Sequence, residues 1–363
     1  MTAPIEAQIR EILSTYEDPY LKTDLFSAKA LRTLNFQQGT LFLEISLGFP
    51  ARQYELVLKK QLKTLLEPLP EVHSVEIQVT WDIQAHSTQR GVKALPQVKN
   101  IIAVASGKGG VGKSTTALNL ALAMVAEGAK VGLLDGDIYG PNQPAMLGTP
   151  HERPHSLDGQ VLEPILHWGL QTMSIGYFVQ EKTPMVWRGP MASGALQQLF
   201  QDTRWEDLDY LIVDMPPGTG DIQLTLAQKV PVAGAVIVTT PQDIALLDVK
   251  KALNMFSKVA IPTLGIVENM ATFQCDHCGE VASIFGEGGA EALAKEFQVP
   301  LLGRIPLHQG LRESCDAGTP WMISHASHPI ALQYLEMARE VLAGLSLRGK
   351  DYSSKFPHIR IQN

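Results

Sequence analysis

The run Ala105-Ser106-Gly107-Lys108-Gly109-Gly110-Val111-Gly112-Lys113-Ser114-Thr115 constrains this chain more than any other stretch. It fits the phosphate-binding pattern G-x-x-x-x-G-K-[ST] and carries a second lysine, Lys108, directly after the first glycine. The apolar residues Ile101 to Ala105 before it read as a buried parallel strand, and Thr116 to Gly128 after it read as a helix. A strand, a glycine-rich loop and a helix in that order aim backbone amides and a helix N-terminus at one polyanion. In that setting Lys113 neutralises the β/γ-phosphates and the Ser114 hydroxyl meets Mg²⁺. The expectation is a nucleoside triphosphate site built from residues 107 to 115.

A strand feeding such a loop belongs in a parallel sheet covered on both faces, and the rest of the chain agrees. Apolar runs at 101–105, 130–134, 208–213, 234–239, 263–267 and 299–302 alternate with helical patterns. This predicts an α/β fold with a doubly wound, mostly parallel sheet over residues 100–347. Residues 1–83 read as a separate, small α+β unit of order α-β-β-α-β. Ile5, Ile9, Ile12 and Leu13 fall at helical spacing, Leu41, Leu43, Ile45 and Leu47 alternate, and so do Val75, Ile77 and Val79. Residues 84–99 carry Gly and Pro without periodicity and read as a linker; residues 348–363 read as a polar tail.

Composition narrows the partners. A formal net charge of −7 gives no electrostatic footprint for nucleic acid, so none is expected as a partner. No window approaches the length of a membrane span, and residues 1–18 are polar and acidic rather than leader-like, so no membrane partner is expected. Three cysteines without a secretion signal fit a reducing, cytoplasmic compartment, where thiols serve metals or catalysis more often than disulfides.

Three carboxylates fall where ligands bind in open parallel sheets, at the carboxyl ends of strands. Asp135 and Asp137 lie in Leu134-Asp135-Gly136-Asp137-Ile138-Tyr139-Gly140-Pro141-Asn142, and Asp214 closes the apolar run Tyr210 to Val213. One of the first pair can hold a Mg²⁺-bound water while the other orients the attacking water, and Asp214 backs the metal shell. Gly218, after Pro216-Pro217, offers an amide that can sense a γ-phosphate. Asn269, after another strand, presents the donor and acceptor that an adenine edge requires.

The second strong signal is Cys275-Asp276-His277-Cys278. Two thiolates at this spacing chelate one edge of a metal centre, whereas a structural zinc or an iron–sulfur cluster takes four ligands. Either His277 and remote residues complete the set, or a second subunit supplies the same pair across a two-fold axis. A thioredoxin-like dithiol and a structural pair are the other readings. Cys315, in Glu313-Ser314-Cys315-Asp316, reads as a buried small residue at a helix end.

Together these motifs resemble the deviant-Walker P-loop ATPases, the class of MinD, ParA and the nitrogenase iron protein. More closely they resemble the Mrp/ApbC iron–sulfur cluster carriers. The likeness runs over residues 98–325 and includes Trp187-Arg188-Gly189-Pro190-Met191, for which no physical role is evident. Residues 1–83 are similar to the small iron–sulfur-assembly domain fused to such carriers, although Tyr20-Leu21-Lys22-Thr23 replaces its usual glycine-containing segment after Asp18-Pro19. The resemblance implies an ATP-bound homodimer in which Lys108 reaches the partner's phosphates and Asp137 positions water. It also implies a [4Fe–4S] cluster bridged by Cys275 and Cys278 of two copies, delivered to apo iron–sulfur proteins in exchange with a cluster-assembly scaffold. The alternative within the class is a positioning or partitioning ATPase, which would be expected to carry an amphipathic terminal helix or a basic surface, and neither is visible.

Overall fold

The computed structural model describes residues 2–89, 92–156, 159–179, 189–275 and 277–349. The small unit comprises α1 (Thr2–Thr15), β1 (Leu31–Gln37), β2 (Thr40–Leu47), α2 (Tyr54–Leu66) and β3 (Ser74–Trp81). Strand β2 turns Leu41, Leu43, Ile45 and Leu47 inward, and α2 buries Tyr54, Leu58, Leu62 and Leu66 at a spacing of four. The β1–β2 hairpin turns through Gln38 and Gly39, at φ 49° and 80°. Two left-handed residues match the right-handed twist of the strands they join. β3 pairs parallel to β2, with α2 as the crossover.

The large unit runs β4 (Val98–Ser106), α3 (Lys113–Ala126), β5 (Val131–Asp135), α4 (Gln143–Met146), β6 (Ile165–His167), β7 (Leu170–Ser174), α5 (Gly189–Asp202), β8 (Leu208–Asp214) and α6 (Asp221–Lys229). It continues through β9 (Gly234–Thr239), α7 (Asp243–Lys258), β10 (Thr263–Gln274), β11 (Val281–Ala282), α8 (Gly289–Phe297), β12 (Leu301–Leu307), α9 (Gln309–Asp316), α10 (Trp321–Ser324) and α11 (Pro329–Ser346). Among the described residues its sheet has 9 strands in the order β11-β10-β9-β4-β8-β5-β7-β6, with β12 also pairing β10. All pairings are parallel except β6–β7 and β10–β11, which are antiparallel. Strands β5, β8 and β9 are buried at every position, the mark of a sheet covered on both faces. The chain leaves β4 for β5 on one side and later passes from β8 to β9 on the other, so a crevice opens at the carboxyl ends of β4 and β8.

The predicted α/β class and the α-β-β-α-β order stand. The sheet is wider than the apolar runs suggested, because β6, β7 and β11 lie outside them.

The two units join at the far end of α3 from its loop. Glu127 caps α3, is 0% exposed, and accepts from the Gln53 and Tyr54 amides at the start of α2, at 2.9 and 3.3 Å. Its other carboxylate oxygen takes Arg339 Nε of α11 at 2.7 Å, and the guanidinium lies over the rings of Tyr20 and Tyr54. The hydroxyl of Tyr54 donates to buried Asp18 at 2.6 Å. Among the described residues no helix is long and apolar enough to cross a membrane.

Candidate functional site

A cleft of 570 Å³ opens at the crevice, lined by the loop from Lys108 to Thr115 and by Asp137, Asn269 and Cys315. Its floor depends on glycine. Gly110 and Gly112 hold φ of 79° and 80°, in the left-handed region. A Cβ on Gly112 would sit 2.0 Å from Asn269 Nδ2, and one on Gly107 would meet the Asp248 backbone at 2.4 Å. Gly112 ends the loop as the N-cap of α3, so the helix N-terminus faces the cleft.

Lys113 is 6% exposed, and its Nζ contacts Asp214 Oδ1 and lies 3.2 Å from Ser114 Oγ. Asp214 and Asp135, at the neighbouring ends of β8 and β5, are each 0% exposed. Asp135 accepts from Ser174 Oγ at 3.0 Å and from the amides of Asp137 and Gln143, both at 3.1 Å. Burial and then the facing Asp214 push the Asp135 carboxyl up to about 7. Burial also raises Asp137, against the pull of Lys113.

Three other expected ligand groups have partners within the chain. Asn269 donates to the Val111 carbonyl at 2.9 Å, so its amide nitrogen supports the loop from beneath. It is the last residue of β10 in step with β12 before a register shift, and Met270 after it takes φ 55°. The Gly218 amide donates to Ser106 O at 3.0 Å, so sensing a phosphate requires that bond to break. Lys108 Nζ lies 3.5 Å from Gln242 Oε1 at the head of α7.

Gln143 escaped the sequence reading although it directly follows Asn142. Its carboxamide donates to Ser114 O at 3.1 Å and Asp214 Oδ2 at 2.9 Å. Cys315 is 6% exposed and lies on α9 with Sγ 3.8 Å from Thr115 Oγ1, so it faces the phosphate loop rather than the other cysteines. Burial pushes its thiol up. Arg188 lies outside the described residues.

The cysteine pair occupies the turn between β10 and β11. Gly279 N donates to Cys275 O at 2.8 Å and Cys275 N to Glu280 O at 2.9 Å, which closes the turn. Cys275 is half-buried, while Cys278 and His277 are exposed.

The residues fit a nucleotide with a hard cation. Helix α3, Lys108 and Lys113 border the cleft, and Ser114 and Asp137 line it with oxygens of the kind Mg²⁺ takes, while Asp135 and Asp214 lie buried behind them. Fold and cleft together define a P-loop nucleotide-binding protein.

Comparison with known proteins carries this further. Residues 97–342 match the family model of the NUBPL iron-transfer P-loop NTPase, and residues 6–79 match that of an iron–sulfur cluster assembly protein. The chain belongs to the NUBPL iron-transfer P-loop NTPase family. An iron–sulfur cluster carrier protein of Salmonella typhimurium is 49% identical over 346 residues, covering 95% of this chain and 94% of that one. An iron–sulfur cluster transfer protein NUBPL of Dictyostelium discoideum is 45% identical and covers 74% of this chain and 84% of its own. Among solved structures, a nucleotide-binding protein of Archaeoglobus fulgidus in complex with ADP aligns with TM-score 0.57 at 37% identity, over 65% of this chain and 91% of that one. The septum site-determining protein MinD of Pyrococcus horikoshii, with Mg-ADP, shares the fold at TM-score 0.51 and 23% identity, over 68% and 98% of the two chains.

Proposed function

We propose that this protein is a cytoplasmic, ATP-hydrolysing carrier that holds a [4Fe–4S] cluster as cargo between two copies of the chain and hands it to apo iron–sulfur proteins. The observation that carries the reading is the course of β10. One strand brings Asn269 against the phosphate-loop carbonyl of Val111 and ends at Gln274, one residue before Cys275. The segment between them bulges against β12 and carries Met270 at φ 55°. A change in the loop therefore has a short covalent route to the cysteine turn.

In this reading Lys113 leaves Asp214 for the β/γ-phosphates, and the loop from Gly107 to Thr115 holds the phosphate chain. Ser114 and Asp135 hold Mg²⁺ directly or through water, Asp214 backs that shell, and Asp137 orients water. Bound there, Mg²⁺ supplies charge neutralisation on the phosphate oxygens. Asn269 borders the base, and Lys108 swings from Gln242 to a partner's phosphates. The cluster needs four thiolates, and each chain brings Cys275 and Cys278, so two copies complete one site. A scaffold protein supplies the cluster and apo-proteins accept it.

Anaerobic reconstitution with iron and sulfide tests this. Wild type is expected to load iron and to form a dimer, and the Cys275→Ala, Cys278→Ala double variant to do neither. A wild type that retains no more iron than the variant would falsify the carrier reading.

A further inference from the structure

Gln143 stands at the start of α4 with 2% of its surface exposed, behind the cleft that Ser114 and Asp137 line. Its backbone amide donates to Asp135 Oδ2, and its side-chain nitrogen donates both to Ser114 O and to Asp214 Oδ2. One residue thus ties the phosphate loop to both buried carboxylates. The orientation of the carboxamide is fixed, because both neighbours of Nε2 are acceptors and an oxygen there would be repelled.

That orientation leaves Oε1 buried and without a hydrogen-bond partner. An unmatched buried acceptor is costly, and a methionine of similar volume would fill the space without it. The surroundings indicate the donor it awaits. Both oxygens of Asp135 and of Asp214 already meet donors, and Lys113 is engaged with Asp214. Mg²⁺ keeps several of its waters when bound by protein carboxylates, and those waters are strong donors.

We propose that Gln143 is a positioning residue for the hydrated cation. Its Oε1 accepts a hydrogen bond from a Mg²⁺-bound water, while Nε2 keeps Asp214 and the Ser114 carbonyl in register. The inference rests on the reading of the cleft as a Mg²⁺-nucleotide site, and it concerns metal sensing rather than turnover.

The test is calorimetric ADP binding to the full chain, with Mg²⁺ and with EDTA, for wild type, Gln143→Met and Gln143→Glu. Thermal unfolding without ligand reports whether each variant is folded. The Met variant is expected to lose roughly ten- to a hundredfold of the affinity that Mg²⁺ adds, as outer-shell substitutions do. Its affinity in EDTA is expected to fall by less than its affinity in Mg²⁺, because only the contacts of Nε2 with the Ser114 carbonyl and Asp214 are lost when no metal is present. The Glu variant keeps the acceptor oxygen but sets a second oxygen against Asp214 Oδ2 and the Ser114 carbonyl. It is therefore expected to lose affinity in EDTA as well as in Mg²⁺, whereas the Met variant loses chiefly in Mg²⁺. If the Met variant does not fold, Gln143→Asn, which withdraws the oxygen by one methylene, takes its place with the same expected loss.

An unchanged Mg²⁺ enhancement in the Met or Asn variant overturns the proposal, as does an equal loss with and without the metal. A wild type that binds ADP equally in Mg²⁺ and EDTA overturns it while leaving the nucleotide site intact. A wild type that binds no ADP at all removes the nucleotide reading itself.

Discussion

Around the phosphate loop, the polar groups are held by other groups of the same chain. Lys113 has Asp214 and Ser114, Asp135 has three donors, and Asn269 has the Val111 carbonyl. At the turn after β10, Cys275 is half-buried and Cys278 exposed. Among the described residues no group of three or more His, Cys, Asp or Glu side chains gathers to hold a metal. One region is held within a single chain; the other, in the proposed reading, contributes two of the four thiolates of a cluster shared between copies. A ligand that must be turned over in a fixed geometry rewards the first construction, because positioning groups have to be in place before it arrives. A cargo that must be released rewards the second, since a shared and exposed site opens when its two halves part.

The contrast breaks most sharply at the cysteines. Cys275→Ala, Cys278→Ala is expected to reduce reconstituted iron to background while ADP affinity stays within about twofold, as for sites that do not touch. Iron assay and calorimetry on one preparation decide it. Loss of nucleotide binding along with the iron would mean that the two regions are not separately built.

Lys113→Ala approaches the same contrast from the other side. It removes the phosphate-facing charge and leaves buried Asp214 without its cation. ATP turnover is expected to fall roughly 10²- to 10³-fold, the usual consequence of deleting one charge-stabilising donor. Iron reconstitution should persist. Unchanged turnover by phosphate release would refute the placement of the site.

Closure of the nucleotide region also has a signature in pH. Burial first, and Asp214 second, push the Asp135 carboxyl from 3.8 up to about 7. The folded chain therefore holds a proton that the unfolded chain releases near 3.8. That contribution to stability is complete below about pH 4 and is lost as pH rises through 7. Asp135→Asn does not titrate, so the stability difference between wild type and variant should shift toward the variant by up to roughly 4 kcal/mol between pH 4 and 8. Denaturant melts across that range measure it. A constant difference would show that Asp135 is ionised in the folded protein throughout.

The two regions were unequally legible in the sequence, for physical reasons. The phosphate loop and the strand ends at Asp135 and Asp214 are local patterns, continuous apolar runs that finish in a polar residue. Cys275 and Cys278 are local too, but the further ligands that the proposed cluster would need leave no mark near them in the sequence. Strands β6 and β11 have three and two residues and no buried positions, so they leave no apolar run to find. The turn between β6 and β7 uses left-handed Trp168 and Gly169 in place of the Asn-Gly that would announce a hairpin. Gln143 gains its role only where residues 114, 135 and 214 converge, and Glu127 only where α2 and α11 meet the end of α3. Contacts of that kind have no one-dimensional signal.

Cys315 provides the finest test of the division, because it is the one cysteine on the nucleotide side. It belongs to α9, lines the cleft, and packs against Thr115 of the phosphate-loop helix, 200 residues earlier in the chain. Its burial favours the neutral thiol, whereas metal binding requires the thiolate. Cys315→Ser is nearly isosteric and keeps a donor toward Thr115, so stability is expected to change by no more than about 1 kcal/mol. ADP affinity should move a few-fold at most, and reconstituted iron should equal that of wild type. An iron content that falls with this substitution would make Cys315 a ligand or a donor of passage for the cargo, and the boundary between the two regions would then run through the cleft itself.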